Sequence, residues 1–318
     1  MKRSLRAGAA GAALLLLAAC GSNGAGNQNG DGTDAVTVGV IPIVDVAPIY
    51  LGDEQGFFAD RGIELTLESG QGGAAIVPGV VSGQFQFGFS NVTSLLLAQS
   101  KGLPLKVVTA GNSTTGDVDK DFGAVVVPEG SDIDDAAGLA GKTVAVNTLN
   151  NIGNTTIREV VEQAGGDPSG IKFVELAFPD MPAAVQEGRV DAAWVVEPFL
   201  TIATGQGARP VASNFAGTHP QLMVAAYFTS QQLIDSNPDL VKRFTEAMNE
   251  SLRYAQDNPD EARRILSSYT QIDDATATAL TLPHWPTEIN VDSVQRLADL
   301  AVEDGLVTEE PDVQGLLP

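Results

Sequence analysis

Chemistry in this chain must be done with very little. It has one cysteine, Cys20, and two histidines, His219 and His284, among 318 residues. A Cys-based metal site, a disulfide and cysteine catalysis are therefore not expected. A zinc site rich in histidine or a Ser-His-Asp triad would have to use one of the two histidines. No catalytic residue, metal site or cofactor is expected. Gly70-Gln-Gly-Gly has glycines that allow close backbone approach but lacks the lysine of a phosphate-binding loop, so nucleotide binding is a poor reading. Side chains suited to recognition remain: the carboxylates Asp45 and Glu197, the indole of Trp194, and the hydroxyls and amides of Ser90, Asn91, Thr148 and Asn150.

Such residues need elements to hold them. The chain alternates short β-branched runs with helical patterns, which predicts an α/β fold with largely parallel sheets. Strands are expected at 36–41, 63–68, 84–89 and 105–110, with helices at 47–59, 74–82 and 91–99 between them. A second, similar unit runs from 123 to 213, with a helix starting after 148–151. Residues 223–229 read as a strand returning to the first unit, and almost everything after 230 reads as helix. Leu240, Phe244, Met248 and Leu252 recur every four residues as a core-packing stripe. The organisation expected is residues 35–122 plus 223–318 as one lobe and 123–222 as the other, joined by two crossovers. A ligand then lies in the cleft between them, at strand C-termini and helix N-termini.

Five loops fall at such places. They carry Asp45 and Val46; Gln71 and Gly72; Ser90 and Asn91; Thr148 and Asn150; and Trp194 with Glu197. His219, near the second crossover, is a further candidate, whereas His284 reads as part of a packed surface turn. Each candidate has a plainer role. Ser90, Asn91 and Thr148 serve equally well as helix caps. Glu197 suits a first helical turn electrostatically. Trp194 reads equally as core or as a stacking platform, and Asp45 is expected to be exposed in its loop. None of these loops contains Lys or Arg, which tilts the ligand towards a neutral or cationic compound, with a nitrogen heterocycle on Trp194 and Glu197 as the model. An anion held by helix N-termini at Gly72, Asn91 and Asn150 is the alternative.

The whole chain is acidic, with 40 Asp+Glu against 18 Lys+Arg and a net charge of −22. It repels nucleic-acid phosphates, and no nucleic-acid partner is expected. Its 43% hydrophobic and 18% charged composition is that of a globular protein. At the N-terminus, Lys2, Arg3 and Arg6 precede an apolar stretch, 7–19, that is shorter than the roughly 20 residues of a membrane span. Residues 1–19 read as a secretory signal peptide. Leu17-Ala-Ala-Cys20 resembles the bacterial lipoprotein signal, which implies lipidation of Cys20. Residues 20–34, rich in Gly and Asn, then form a flexible tether reaching ~20 Å. A lipid-anchored body on the extracytoplasmic face of the cell membrane is expected.

Three blocks carry a wider resemblance. They are Pro48-Ile-Tyr-Leu with Glu54-Gln-Gly-Phe-Phe and Arg61-Gly-Ile-Glu-Leu; Leu139-Ala-Gly-Lys-Thr-Val-Ala-Val; and Gly188-Arg-Val-Asp-Ala-Ala-Trp-Val-Val-Glu-Pro-Phe. In order and spacing the chain, over about 36–300, resembles the ABC-transporter substrate-binding proteins for nitrate, sulfonates, taurine and thiamine-pyrimidine precursors. The resemblance implies a periplasmic-binding-protein fold of the second topological type. It also implies a monomeric receptor that hands a small solute to a permease, with ATP hydrolysis on a separate subunit. Two other classes stay open: a ligand-sensing adaptor for a membrane receptor, and an enzyme like the pyrimidine-precursor synthases of this fold, whose cysteine cluster is absent here.

Overall fold

The computed structural model describes residues 32–318. The expected signal peptide, Cys20 and most of the tether lie outside the described residues. Among the described residues, ten strands form two five-stranded sheets. In the first, β1 (Asp34–Val40), β2 (Ile63–Ser69), β3 (Phe87–Asn91), β4 (Leu105–Ser113) and β10 (Met223–Ser230) take the order β2-β1-β3-β10-β4. In the second, β5 (Gly123–Val127), β6 (Thr143–Val146), β7 (Lys172–Glu175), β8 (Ala192–Val196) and β9 (Arg209–Ala212) take the order β7-β6-β8-β5-β9.

The two sheets share one plan. β1 pairs in parallel with β2 and β3, as β6 does with β7 and β8. The strand that has just crossed from the other sheet is inserted antiparallel: β10 between β3 and β4, and β5 between β8 and β9. The expectation of largely parallel sheets is corrected at these two strands. A chain entering from the facing lobe meets the C-terminal edge of the sheet first and so runs against it.

Hydrophobic burial fixes the helices. In the helix Pro238–Asp257, Leu240, Phe244, Met248 and Leu252 are all fully buried, as their spacing predicts. Phe244 stacks on Phe87 of β3, with ring centroids 3.7 Å apart. The first helix is shorter than expected, Ala47–Glu54, and is followed by turns before β2. Asn91 caps the helix Val92–Ser100 by accepting from the Ser94 N–H at 2.9 Å. Asn151 opens the helix Ile152–Gln163 with a reciprocal cap involving Asn154. Both helices therefore start at the strand edge where the two lobes meet. No helix among the described residues is long and apolar enough to cross a membrane.

Candidate functional site: a small chamber between the lobes

β1 ends at Val40, and the chain turns into a short 3-10 turn, Val44–Val46. The turn is clamped from the C-terminal half of the chain. Trp285 Nε1 donates to the Asp45 carbonyl at 3.1 Å, and the Tyr269 hydroxyl donates to the Ile43 carbonyl at 3.1 Å. Asp45 is therefore only 3% exposed, against the expectation of an exposed loop residue.

Asp45 lines a small chamber, about 30 Å³, between the sheets. Phe89 and Asn91 bound it on the first lobe, and Asn147, Phe178, Trp194 and Phe215 on the second. Trp194 stands on β8 with Phe178 and Phe215 set against it edge-on, at centroid distances of 5.4 and 5.7 Å. Gly153 lets the helix Ile152–Gln163 lie directly on the indole, since a Cβ there would come within 2.4 Å of Trp194 Cε3.

The chamber's polar groups are incomplete. Asp45 Oδ2 and Trp194 Nε1 are buried and have no hydrogen-bond partner. No Lys, Arg or His lines the chamber. Burial raises the Asp45 pKa to about 7, opposed by its own backbone N–H and by Asn112, and reinforced by the negative charge of Asp121. A buried carboxylate with a free oxygen and no counter-charge is costly unless it holds a proton or receives a donor from elsewhere. The chamber is thus walled by an acid and an indole that each carry an unpaired polar atom, among aromatic rings.

The lobes touch around this chamber. Asn147 Nδ2 donates to the Gln71 carbonyl at 3.0 Å, and Val44 N donates to the Glu197 carbonyl at 3.0 Å. Gly72 permits the approach: a Cβ there would sit 2.9 Å from Thr148 Cγ2 and 3.1 Å from Asn147 Nδ2. Further out, Arg296 of the helix Val291–Glu303 pairs with Glu159 of the helix Ile152–Gln163 at 2.8 Å. At the same seam Arg158 lies 4.0 Å from Asp304, whose pKa burial raises to about 6 against the pull of Arg158 and Thr155.

Comparison with known proteins now places this architecture. The family model described as NMT1/THI5 like matches residues 43–262, well over half of the chain. The chain belongs to the NMT1/THI5-like family. Among curated relatives, the formylaminopyrimidine-binding protein of Halalkalibacterium halodurans is 23% identical over 263 residues, covering 80% of this chain and 76% of that protein. A 4-amino-5-hydroxymethyl-2-methylpyrimidine phosphate synthase of Saccharomyces cerevisiae is 21% identical over 228 residues, covering 68% of this chain and 64% of that protein. Among solved structures, the alkanesulfonate-binding protein SsuA from Xanthomonas axonopodis pv. citri, bound to MOPS, superposes with a TM-score of 0.76. That match has 18% identity and covers 89% of this chain and 98% of the other. The fold is the two-lobed fold of the periplasmic binding proteins, of the second topological type.

In this NMT1/THI5-like chain, three of the residues expected at the site meet in the chamber: Asp45, Asn91 and Trp194. Gln71 lines a neighbouring groove, and Gly72 and Thr148 form the lobe contact beside it. Asn150 is exposed, in a left-handed conformation at φ 56°. Val46 is buried beside Asp45 but outside the chamber wall, and Ser90 is buried with its hydroxyl donating to the Asn91 carbonyl at 3.1 Å. His219 is half-buried away from the chamber, its Nδ1 accepting from Gln221 N at 3.1 Å.

Glu197 differs most from its expected role. It is 2% exposed and does not line the chamber. Its carboxylate accepts from Thr201 N at 2.9 Å, from the Thr201 hydroxyl at 2.9 Å and from Thr281 N at 3.2 Å. Sequence reasoning also passed over Phe89, Asn147, Phe178 and Phe215. Asn147 and Phe178 follow β6 and β7, so the rule that ligands sit at strand C-termini points to both. Phe215 carries no local signal.

Proposed function

We propose that this chain is an extracytoplasmic solute-binding protein that captures a small nitrogenous solute and delivers it to the permease of an ABC importer. The observation that carries the ligand class is Asp45, a buried acid without a full hydrogen bond at Oδ2, on the wall of a chamber without a basic residue. A protonated amine or an amino-substituted ring supplies the missing donor and the missing charge together. A ring nitrogen or carbonyl on the same solute could accept from Trp194 Nε1. The solute-receptor role draws on the two-lobed fold, the family and relatives named for binding rather than turnover.

In this reading the body is a monomer tethered through lipidated Cys20, which raises its effective concentration at the permease. The chain is read as a non-enzyme. The synthase relative marks the alternative, and turnover would change the mass of the bound molecule. The other solute class is an alkanesulfonate, taurine or nitrate, and a third role is that of sensing adaptor.

A thermal-unfolding panel at pH 8 tests the reading, with alkylammonium ions and aminopyrimidines set against taurine, alkanesulfonates and nitrate. A solute at 1,000 times its dissociation constant stabilises by about 4.1 kcal/mol, a midpoint shift of about 7 °C for a body of this size. Shifts confined to the nitrogenous compounds are expected. Shifts confined to the sulfonates or nitrate would overturn the assignment of Asp45.

A further inference from the structure

Asp45 also has neighbours inside the first lobe. The turn Val44–Val46 packs against β4. Asn112 of β4 is fully buried, and its amide helps the backbone N–H of Asp45 hold that pKa down against burial. Across the ladder Asn112 pairs with Ala225 of β10, and Tyr227 follows two residues along, on the same side of β10 as Ala225. Such diagonal neighbours are about 7–8 Å apart, within reach of an aromatic side chain. Tyr227 is fully buried, with ring centroids 5.2 Å from Phe89 and 6.3 Å from Phe244. Burial, Tyr50 and the charge of Asp45 push its pKa well up.

Four buried polar atoms of these three residues form no full hydrogen bond: Asp45 Oδ2, Asn112 Nδ2, Asn112 Oδ1 and the Tyr227 hydroxyl. They make two complementary pairs, and buried polar groups are rarely left unpaired. An amide both donates and accepts, and so does a phenol. With Asp45 ionised, Asn112 Nδ2 donates to Oδ2 and the Tyr227 hydroxyl donates to Asn112 Oδ1. With Asp45 protonated, the amide turned end for end accepts from the acid at Oδ1 and donates through Nδ2 to the Tyr227 oxygen. The same three side chains satisfy either charge state. The other titratable groups around this carboxyl are Tyr50, Tyr269 and Asp121, and none of them brings a positive charge. Glu197 meets the turn through its backbone carbonyl, while its carboxylate is bonded to Thr201 and Thr281. We infer that Asn112, backed by Tyr227, is a positioning residue that decides when Asp45 is charged, and so at which pH the solute binds. For solute binding this rests on the assignment of the solute to Asp45.

Carbon-13 NMR titration of the side-chain carboxyls in the ligand-free protein reads Asp45 directly, its resonance identified by its loss in Asp45→Asn. In Asn112→Leu, similar in shape, the Asp45 titration should move up by about one to two pH units, the worth of a hydrogen bond to an ionised group. Tyr227→Phe should move it the same way by less, and it carries the test if Asn112→Leu does not fold. Calorimetry with butylammonium from pH 5 to 9.5 should show the matching pattern. Below the wild-type break, Asn112→Leu should bind about 10- to 100-fold more weakly, the same shift read as affinity. Above the new break it should return to within about threefold of wild type, because Asp45 is then charged in both proteins. An Asp45 titration that stays in its wild-type place in both variants overturns the inference and leaves the solute assignment standing. Weakening by the same factor at every pH makes Asn112 a part of the framework alone and also overturns it. A flat wild-type calorimetric profile beside a moved NMR titration brings down the solute assignment and upholds the role of Asn112 at Asp45.

Discussion

The loop after β1 and the loop after β8 each carry a buried acid at the boundary between the lobes. Asp45 is 3% exposed and Glu197 2%. Burial pushes both pKa values up. Their hydrogen bonding separates them. Glu197 receives Thr201 N, the Thr201 hydroxyl and Thr281 N, all of them groups of the protein itself. Asp45 Oδ2 has no full hydrogen bond, with only the Asn112 side chain close enough to oppose the rise of its pKa. A buried acid whose acceptors are all filled is part of the framework, whereas one with an unfilled oxygen on the wall of a chamber is a place for a ligand. Burial alone does not distinguish the two, and neither does position at a strand end.

The contrast can be broken by mutation. The largest effect is expected from Asp45→Asn, which should weaken ammonium binding at pH 8 by about 100-fold or more, because a buried charge pair loses one partner. Ligand-free stability should hold or rise, since a costly buried charge disappears. Calorimetry and urea unfolding of the same sample separate the two quantities. Glu197→Gln should do the reverse: about 1–3 kcal/mol of stability lost in urea, because an amide cannot accept at every site the carboxylate fills, with affinity changed less than tenfold. Equal effects of the two variants on affinity would erase the distinction between the loops.

Gly72→Ala should come next. Its Cβ would press on Thr148 Cγ2 and Asn147 Nδ2, so the lobes stop short of full contact. Every ligand should weaken by roughly tenfold, the result of a closure cost of about 1.4 kcal/mol. The unliganded melting temperature should stay unchanged. The smallest effect is expected at the outer seam. Arg296→Met breaks the pair with Glu159, but Arg296 is 31% exposed, and such pairs contribute less than about 1 kcal/mol. Small-angle scattering with and without ligand shows whether that seam biases closure.

Much of the fold was legible because local pattern and burial agree. The stripe from Leu240 to Leu252, the cap at Asn91 and the helix start at Asn151 all follow from nearby residues. The antiparallel insertion of β10 and β5 was not, because strand pattern carries no direction. The site was half legible. The rule of strand ends found Asp45, Asn91 and Trp194, but ranked Glu197 above Asp45. Asp45 is covered by Trp285 and Tyr269, and Glu197 is filled in part by Thr281, partners far away along the chain. No local reading of either loop contains those contacts.

The pH dependence of ammonium affinity tests the central claim most directly. In the ligand-free protein Asp45 has a pKa of about 7, above its unfolded value, so its bound proton stabilises the fold at low pH. That contribution is present below about pH 4 and lost as the pH rises through about 7. A cation must displace the proton, so the opposite trend holds for binding. The dissociation constant of butylammonium should fall about tenfold per pH unit from pH 5 to about 7 and level off above it. In Asp45→Asn the profile should be weak and flat. A wild-type profile that is already flat, or one that tightens as the pH falls, would contradict Asp45 as the group that receives the solute.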